Sequence, residues 1–259
     1  MARGDVFKKP FYIKLLTRLK ILPVYRTSEG VENLETNYTT FDQCKEIFSR
    51  NGIVLMFSEG KCINEWHLRP LKKGTARLAI SSWQGGIDVK VLPVGINYSS
   101  FRKFGKNVMV SFGNIIAKEE ILSNETDGKR NLAFNDTLRN ELEKMVFEIP
   151  ATDTEKKKKL LFVNVGIAGK ILLAIPALTG LLLNAPLYLP IRQFANARTK
   201  DTDHYDSVIT ALLIITYPFY ILLLSLCIYF LTHSFFSFLL VPLLPFTAWS
   251  YVQLKKQLD

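Results

Sequence analysis

Leu55–Ala79 reads LMFSEGKCINEWHLRPLKKGTARLA and holds residues that could do chemistry on a phosphate ester. An apolar run, Ile53–Phe57, ends in Ser58-Glu59-Gly60. A strand ending this way puts a carboxylate and exposed backbone at the mouth of a sheet, where α/β proteins build ligand sites. Gly60 permits a positive φ or a close backbone approach. Arg69, Lys72 and Lys73 follow one short loop later, and an arginine fork can grip a phosphate through two hydrogen bonds. Gly74 opens a small-residue helix whose first amides favour an anion. Arg26, closing the LPVYR stretch, adds a cation at the end of another strand. A solvated basic loop is the plainer reading for any single lysine here. Arg26 and Glu59, at the ends of apolar strands, carry the functional reading.

These residues need elements to hold them. Asp5 can cap a helix to about residue 20, with Phe7, Phe11, Leu15 and Leu19 along one side. Leu22–Arg26 reads as a short strand. Residues 33–50 read as a helix with Phe41, Cys44 and Phe48 on one side and Gly52 as its left-handed exit. Ile53–Phe57 is expected as a buried strand, 74–83 as a helix ended by Gly85-Gly86, 89–98 and 107–116 as strands, and 131–148 as an amphipathic helix. Pro93 marks an edge or an interruption. Strands alternating with helices predict an α/β domain over 1–150, a mixed sheet flanked by helices.

Charge divides the 259-residue chain. Residues 1–159 carry a net +8 and residues 160–259 only +2. The basic part suits anionic headgroups or a phosphorylated substrate. Nucleic acid is not expected as a partner, because no recognition motif occurs and the rest of the chain is lipid-like. Residues 151–159, ATDTEKKKK, read as a charged linker. Cys44, Cys62 and Cys227 lack ligand spacing and suggest a reducing compartment without a disulfide framework. No signal peptide is read in the first residues. His204, near Asp201, Asp203 and Asp206, reads as a surface residue, and no metal site is expected.

Residues 160–259 are expected to be embedded in a membrane, in three apolar runs. The run 207–232 would rise about 39 Å as a helix, enough to cross a hydrocarbon core of about 30 Å. With 235–253 it is expected to form a transmembrane hairpin. Pro176, Pro186 and Pro190 break the run 160–191, which also holds Lys170. That run is expected to be interfacial or re-entrant. This arrangement leaves Lys156–Lys159, Arg192–Lys200 and Lys255–Lys256 on one side, the cytoplasmic side, together with the α/β domain. The alternative is a single span for 160–191, with Arg192–Lys200 outside.

Four blocks in order carry a resemblance to a known family. FSEG resembles the Phe-Pro-Glu-Gly block of the glycerolipid acyltransferases, the lysophosphatidic acid and glycerol-phosphate acyltransferases. LRPLKKG resembles their Leu-x-Pro-x-Lys-x-Gly run, LPVYR their block ending in Arg, and VLPVGINY their block built around a proline. The match extends over roughly residues 1–115. The resemblance implies that Arg26, Glu59 and Gly60 hold the phosphate-bearing end of an acyl acceptor, with Lys73 and Gly74 in the next block. Ser58 replaces the usual Pro, and Lys61-Cys62 stand where the family has Thr-Arg, leaving Arg69 or Lys61 to substitute. The family's His-x-x-x-x-Asp block, expected upstream of these, is not found: Lys72, Ile209 and Phe238 stand five residues after His67, His204 and His233. A late-assigned start or a fragment explains this, as does a catalytically dead relative.

The resemblance implies an N-terminally truncated acyltransferase domain followed by membrane helices. Its substrates would be acyl-CoA or acyl-ACP (acyl carrier protein) as donor, and glycerol 3-phosphate or 1-acyl-glycerol 3-phosphate as acceptor, in phospholipid synthesis. No cofactor is implied beyond the acyl donor, and membrane lipids are the expected surroundings. The alternative is a non-catalytic lipid-phosphate-binding membrane protein. A transport component is a third reading, opposed by the lack of carboxylates between 207 and 253.

Overall fold

A computed structural model describes residues 2–25, 34–61, 63–123, 126–150, 152–200 and 202–255. The chain divides into two compact units, the first built from residues 1–62, 68–95 and 111–146, the second from 63–67, 96–110 and 147–259.

In the first unit a 3-10 turn over Gly4–Lys8 leads into α1 (Pro10–Arg18). Pro10 starts the helix because its fixed φ suits the first position and its missing N–H would lack a helical acceptor there. The expected helix from Asp5 is therefore split in two. Its apolar side is not covered: Phe11, Leu15 and Leu19 are all exposed. Strands β1 (Ala2–Arg3) and β2 (Pro23–Val24) pair in parallel. Asn37, on α2 (Leu34–Ser49), donates to the Tyr25 carbonyl and accepts its N–H, both at 2.8 Å. Thr40 donates to the Pro23 carbonyl at 2.9 Å. Cys44 is buried on the same helix. The left-handed exit falls on Asn51 (φ 57), not on Gly52. Gly52 is needed for space instead: a Cβ there would lie 2.5 Å from Ile47 Cγ2.

Helix α3 (Lys73–Gln84) buries Ala76, Ala79, Ile80 and Trp83. They pack with Ile116, with Ile121 of α4 (Lys118–Leu122), with Phe134, Leu138 and Leu142 of α5 (Asp127–Glu143), and with Met145. The Trp83 indole N–H donates to the Val89 carbonyl at 2.8 Å, closing the turn behind α3. Strands β3 (Val94–Tyr98) and β4 (Val108–Phe112) form the second sheet. They are shorter than expected because Pro93 cannot donate; beyond them the Gly113 N–H bonds the Pro93 carbonyl at 3.0 Å and a bridge joins Val91 and Ile116.

The expected mixed sheet flanked by helices is thus not what forms. The described chain is mostly helical, with two separate two-stranded sheets. Ile53–Phe57, expected as a buried strand, lies outside both sheets. Ile53, Leu55 and Phe57 are 94%, 62% and 64% exposed, while Val54 and Met56 turn inward. The period of two is kept, but only one face of the run is covered.

In the second unit, the stretch expected as a charged linker is largely helical: α6 (Thr154–Leu161) starts where Asp153 accepts the Lys156 N–H at 2.9 Å. The ammonium of Lys157 sits 4.7 Å from the Trp66 ring centroid. The Trp66 indole donates to the Tyr98 carbonyl at 2.7 Å, and its backbone carbonyl accepts from Ile149 N at 3.0 Å. Leu161 and Phe101 complete that cluster.

Three helices here are long and apolar enough to cross a membrane: α7 (Ile167–Arg198), α8 (Tyr205–Thr232), and α9 (Leu240–Leu254) extended by a 3-10 turn over Phe235–Leu239. The break expected at the prolines of 160–191 does not occur; α7 runs through Pro176, Pro186 and Pro190 as one helix of 32 residues. Side chains tie its proline-bearing stretch to its neighbours. Thr179 donates to the Pro176 carbonyl at 2.9 Å. Tyr220 of α8 donates to the Leu183 carbonyl at 2.6 Å, one residue from the carbonyl that Pro186 leaves without its helical donor. Tyr217 of α8 bonds Asn184 at 3.0 Å. Against α9, Gly180 lets the backbones meet, since a Cβ there would stand 2.1 Å from the Thr247 carbonyl oxygen.

Candidate functional site: the Ser58–Gly60 turn and the start of α3

Four of the five residues expected to bind phosphate, Glu59, Gly60, Arg69 and Lys73, fall at one corner of the first unit; the fifth, Arg26, lies outside the described residues. Gly60 takes φ +66, and its N–H bonds the Phe57 carbonyl at 3.2 Å in a tight turn. That turn faces the residues just before α3. A Cβ at Gly60 would lie 3.1 Å from Lys72 Cγ, so the glycine supplies both the conformation and the room.

Three hydrogen bonds knit the corner. The Ser58 carbonyl accepts the Lys72 N–H at 2.8 Å. The Ser58 and Thr75 hydroxyls share a bond of 2.8 Å. The Glu59 carboxylate accepts the Arg69 backbone N–H at 2.9 Å. Ser58, which departs from the family's proline, therefore has a local role: it ties the turn to the first turn of α3. Sequence reasoning missed Thr75. Its position two residues into a helix after a lysine pair was the available signal.

The result is a half-buried carboxylate and a glycine turn packed against a helix start. Lys72 and Lys73 are exposed there, and Arg69 is half-buried. Among the described residues no side chain caps α3, so its first N–H groups face an acceptor-free start there, and the helix dipole adds partial positive charge. Glu59 does not sit among these donors as an isolated anion; its bond to Arg69 N fixes the loop that carries the Arg69 guanidinium. Lys61 is exposed, and Cys62 lies outside the described residues.

The three histidines have other settings. His67, in the second unit, bonds Glu148 through Nδ1 at 2.7 Å, with both side chains exposed. His204 stands just before α8, and His233 takes a left-handed conformation (φ 48) after it.

Residues 1–97 match the family model described as Acyltransferase. This stretch contains the LPVYR, FSEG and LRPLKKG blocks and most of VLPVGINY, and the match is consistent with a glycerolipid acyltransferase family. No curated protein and no solved structure matches the chain.

Proposed function

We propose that the chain is a membrane-bound acyltransferase component that holds a glycerol-phosphate acceptor for acylation by an acyl-CoA or acyl-ACP thioester, in phospholipid synthesis. In that reaction an acceptor hydroxyl oxygen attacks the thioester carbonyl carbon. An ester C–O bond forms, the C–S bond breaks, and the hydroxyl proton ends on the departing thiol. The corner at Ser58–Gly60 binds the phosphate: Arg69 and Lys73 supply charge, the start of α3 supplies N–H donors, and Arg26 joins them from the LPVYR block. The observation that supports this is the Glu59–Arg69 bond, which orients a basic loop toward an uncapped helix start.

The three membrane helices support a bilayer location. The cytoplasmic side is the reading favoured by charge. The loop Ser99–Asn107 holds both α6 with Lys156–Lys159, through Phe101, and the basic end of α7, through the bond from Arg102 to the Lys200 carbonyl at 3.2 Å. Both stretches therefore share one anchor.

A second reading is favoured by a specific feature. No histidine in the chain has Asp five residues on, so the chain would bind lipid phosphates without transferring acyl groups by the family's base. One experiment addresses both. The full chain in vesicles receives glycerol 3-phosphate or lysophosphatidate with a labelled acyl-CoA or acyl-ACP, and labelled product and acceptor binding are both measured. Product that falls with Arg69→Gln and Arg26→Ala supports transfer. Binding without product, lost in the same variants, supports the second reading. Binding unchanged in both variants removes the pocket from either.

A further inference from the structure

Helix α1 stands on the first unit as an uncovered ridge held at both ends. It connects two strands that pair with each other, β1 before it and β2 after it. The 3-10 turn at its start is fixed where Gly4 meets the Tyr25 ring, which a Cβ on Gly4 would strike. Its far end closes in a Schellman turn: Ile21 N–H bonds the Leu16 carbonyl and Lys20 N–H the Thr17 carbonyl, both at 2.9 Å. Lys20 takes the left-handed position (φ 55), where glycine is the usual residue. Leu16 and Ile21 are half-buried, and every other residue of 10–20 is exposed.

Four residues turn a helix by about 400°, so Phe11, Leu15 and Leu19 fall on one stripe about 12 Å long. Phe11 is 72% and Leu19 61% exposed, and the Tyr12 ring stands 5.7 Å from that of Phe11. A line of large apolar side chains facing outward from a helix held at both ends is a surface for an apolar partner. Charge decides which partner. Residues 6–25 contain five cations, Lys8, Lys9, Lys14, Arg18 and Lys20, and no Asp or Glu. Lys9, Lys14, Arg18 and Lys20 are exposed, with Lys14 and Arg18 one turn apart beside the stripe. Ion pairs at such exposed positions are weak and yield to a dense layer of phosphates. A second copy of α1 would set like charges against each other. An anionic bilayer offers an apolar layer to the stripe and phosphates to the cations, and the same chain carries three helices long and apolar enough to cross one.

We propose that α1 is an interfacial membrane helix: it lies in the plane of an anionic bilayer surface and holds the first unit there. Phe11, Leu15 and Leu19 enter the boundary between headgroups and acyl chains, and Tyr12 sits beside them with its hydroxyl in the headgroup layer. Lys14, Arg18 and Lys20 lie among the phosphates, and Thr17 faces water. This contact is additional to the three spans of the second unit, uses no residue of the Glu59–Lys73 corner and does not depend on acyl transfer.

The test uses the full chain in lipid nanodiscs, with Cys62→Ser and Cys227→Ser and with the buried Cys44 left in place. A spin label is attached at Leu15→Cys or at Thr17→Cys, and its collisions with oxygen, which concentrates in lipid, and with a water-soluble nickel chelate are measured. In nanodiscs containing phosphatidylglycerol the Leu15 label is expected to meet oxygen and escape nickel, and the Thr17 label to do the reverse. Labels at Phe11→Cys and Leu19→Cys should follow Leu15. Replacing phosphatidylglycerol by phosphatidylcholine should move the Leu15 label toward water. In phosphatidylglycerol, Lys14→Gln and Arg18→Gln should each lower the ratio of lipid-facing to water-facing label roughly fivefold, the effect of one surface cation. All these positions are exposed, so an unchanged thermal midpoint separates lost lipid contact from lost folding. Equal nickel access at Leu15 and Thr17 places the helix in water and overturns the proposal. A Leu15 label shielded from both reagents means that protein covers the stripe, and overturns it too. Equal depth in the two lipids overturns the assignment to an anionic surface.

Discussion

The Glu59 carboxylate and the Arg69 backbone N–H meet at 2.9 Å and close a loop ten residues apart in sequence. The carboxylate holds the loop through this bond. Yet the loop it holds carries Arg69 into the corner where α3 begins. Removing the carboxylate should therefore weaken phosphate binding without removing any group that touches phosphate. Glu59→Ala should raise the dissociation constant for glycerol 3-phosphate by roughly tenfold or more, the worth of a charge-assisted hydrogen bond. Glu59→Gln, which keeps an oxygen acceptor, should fall between. Titration calorimetry on the full chain reads both. Equal affinity for Glu59→Ala and the parent would dissociate the loop from the site.

Gly60 and Gly86 both take positive φ, at +66 and +79, but in different company. A Cβ at Gly60 meets Lys72 Cγ at 3.1 Å, whereas one at Gly86 meets nothing within 4 Å. Gly86→Ala should cost only the left-handed conformation, about 1 kcal/mol. Gly60→Ala should cost about 2 kcal/mol, because Lys72 must also give way. Thermal unfolding of the two variants side by side checks the ranking; a reversed order would mean the Gly60 turn is looser than its contacts imply.

The Ser58–Gly60 turn and the α3 start were legible in sequence because each is local: a glycine, a short loop, an uncapped helix after two lysines. Helices α2, α3 and α5 were legible for the same reason, their apolar periods matching the buried faces. The sheet was not, because a strand is completed only by partners distant in sequence. Ile53–Phe57 has the right composition and alternation, yet it lies outside both sheets and one of its faces is exposed. The helix α6 was missed because a lysine run reads as a linker until Asp153 is seen to cap it and Trp66 to stack on Lys157. In α7 three prolines argued for a break. What holds the helix together is supplied largely by another helix, through Tyr217 and Tyr220, and no local pattern announces that.

Cys44 lies in the core under α2, and burial pushes its thiol up to about 11 from 9.0. Its thiolate fraction near neutral pH is thus about a hundredfold below that of a free thiol. Iodoacetamide at pH 8 should leave Cys44 unmodified in the folded chain and label it once the chain is denatured, as peptide mass spectrometry would show. The linkage has a definite sign. The native state holds the proton more tightly, so the stability that Cys44 contributes is full below pH 9 and lost as pH rises toward 11. Cys44→Ala should remove that part of the alkaline loss; an unchanged slope between pH 9 and 11 would assign it to other groups.

Gly180 and Gly169 both lie in α7, and only Gly180 meets another helix. Its absent Cβ would stand 2.1 Å from the Thr247 carbonyl oxygen and 2.5 Å from the Thr247 carbonyl carbon, both backbone atoms of α9 that cannot turn aside. At Gly169 a Cβ would meet Val165 Cγ1 at 2.9 Å, a side-chain methyl on the approach to the same helix that a rotamer change can move. In lipid, helices associate by close packing rather than by the hydrophobic effect, so a forced separation loses the contact itself. Gly180→Ala should destabilise the α7–α9 pair by about 1–3 kcal/mol, the range for overpacking a tight interface. Gly169→Ala should be near neutral or slightly stabilising, as an alanine in a helix interior usually is. Thermal denaturation of the two variants in the same detergent distinguishes them: the midpoint should fall for Gly180→Ala alone. Equal midpoints would mean that α7 and α9 do not meet at Gly180 and Thr247 when the protein is in a membrane-like solvent.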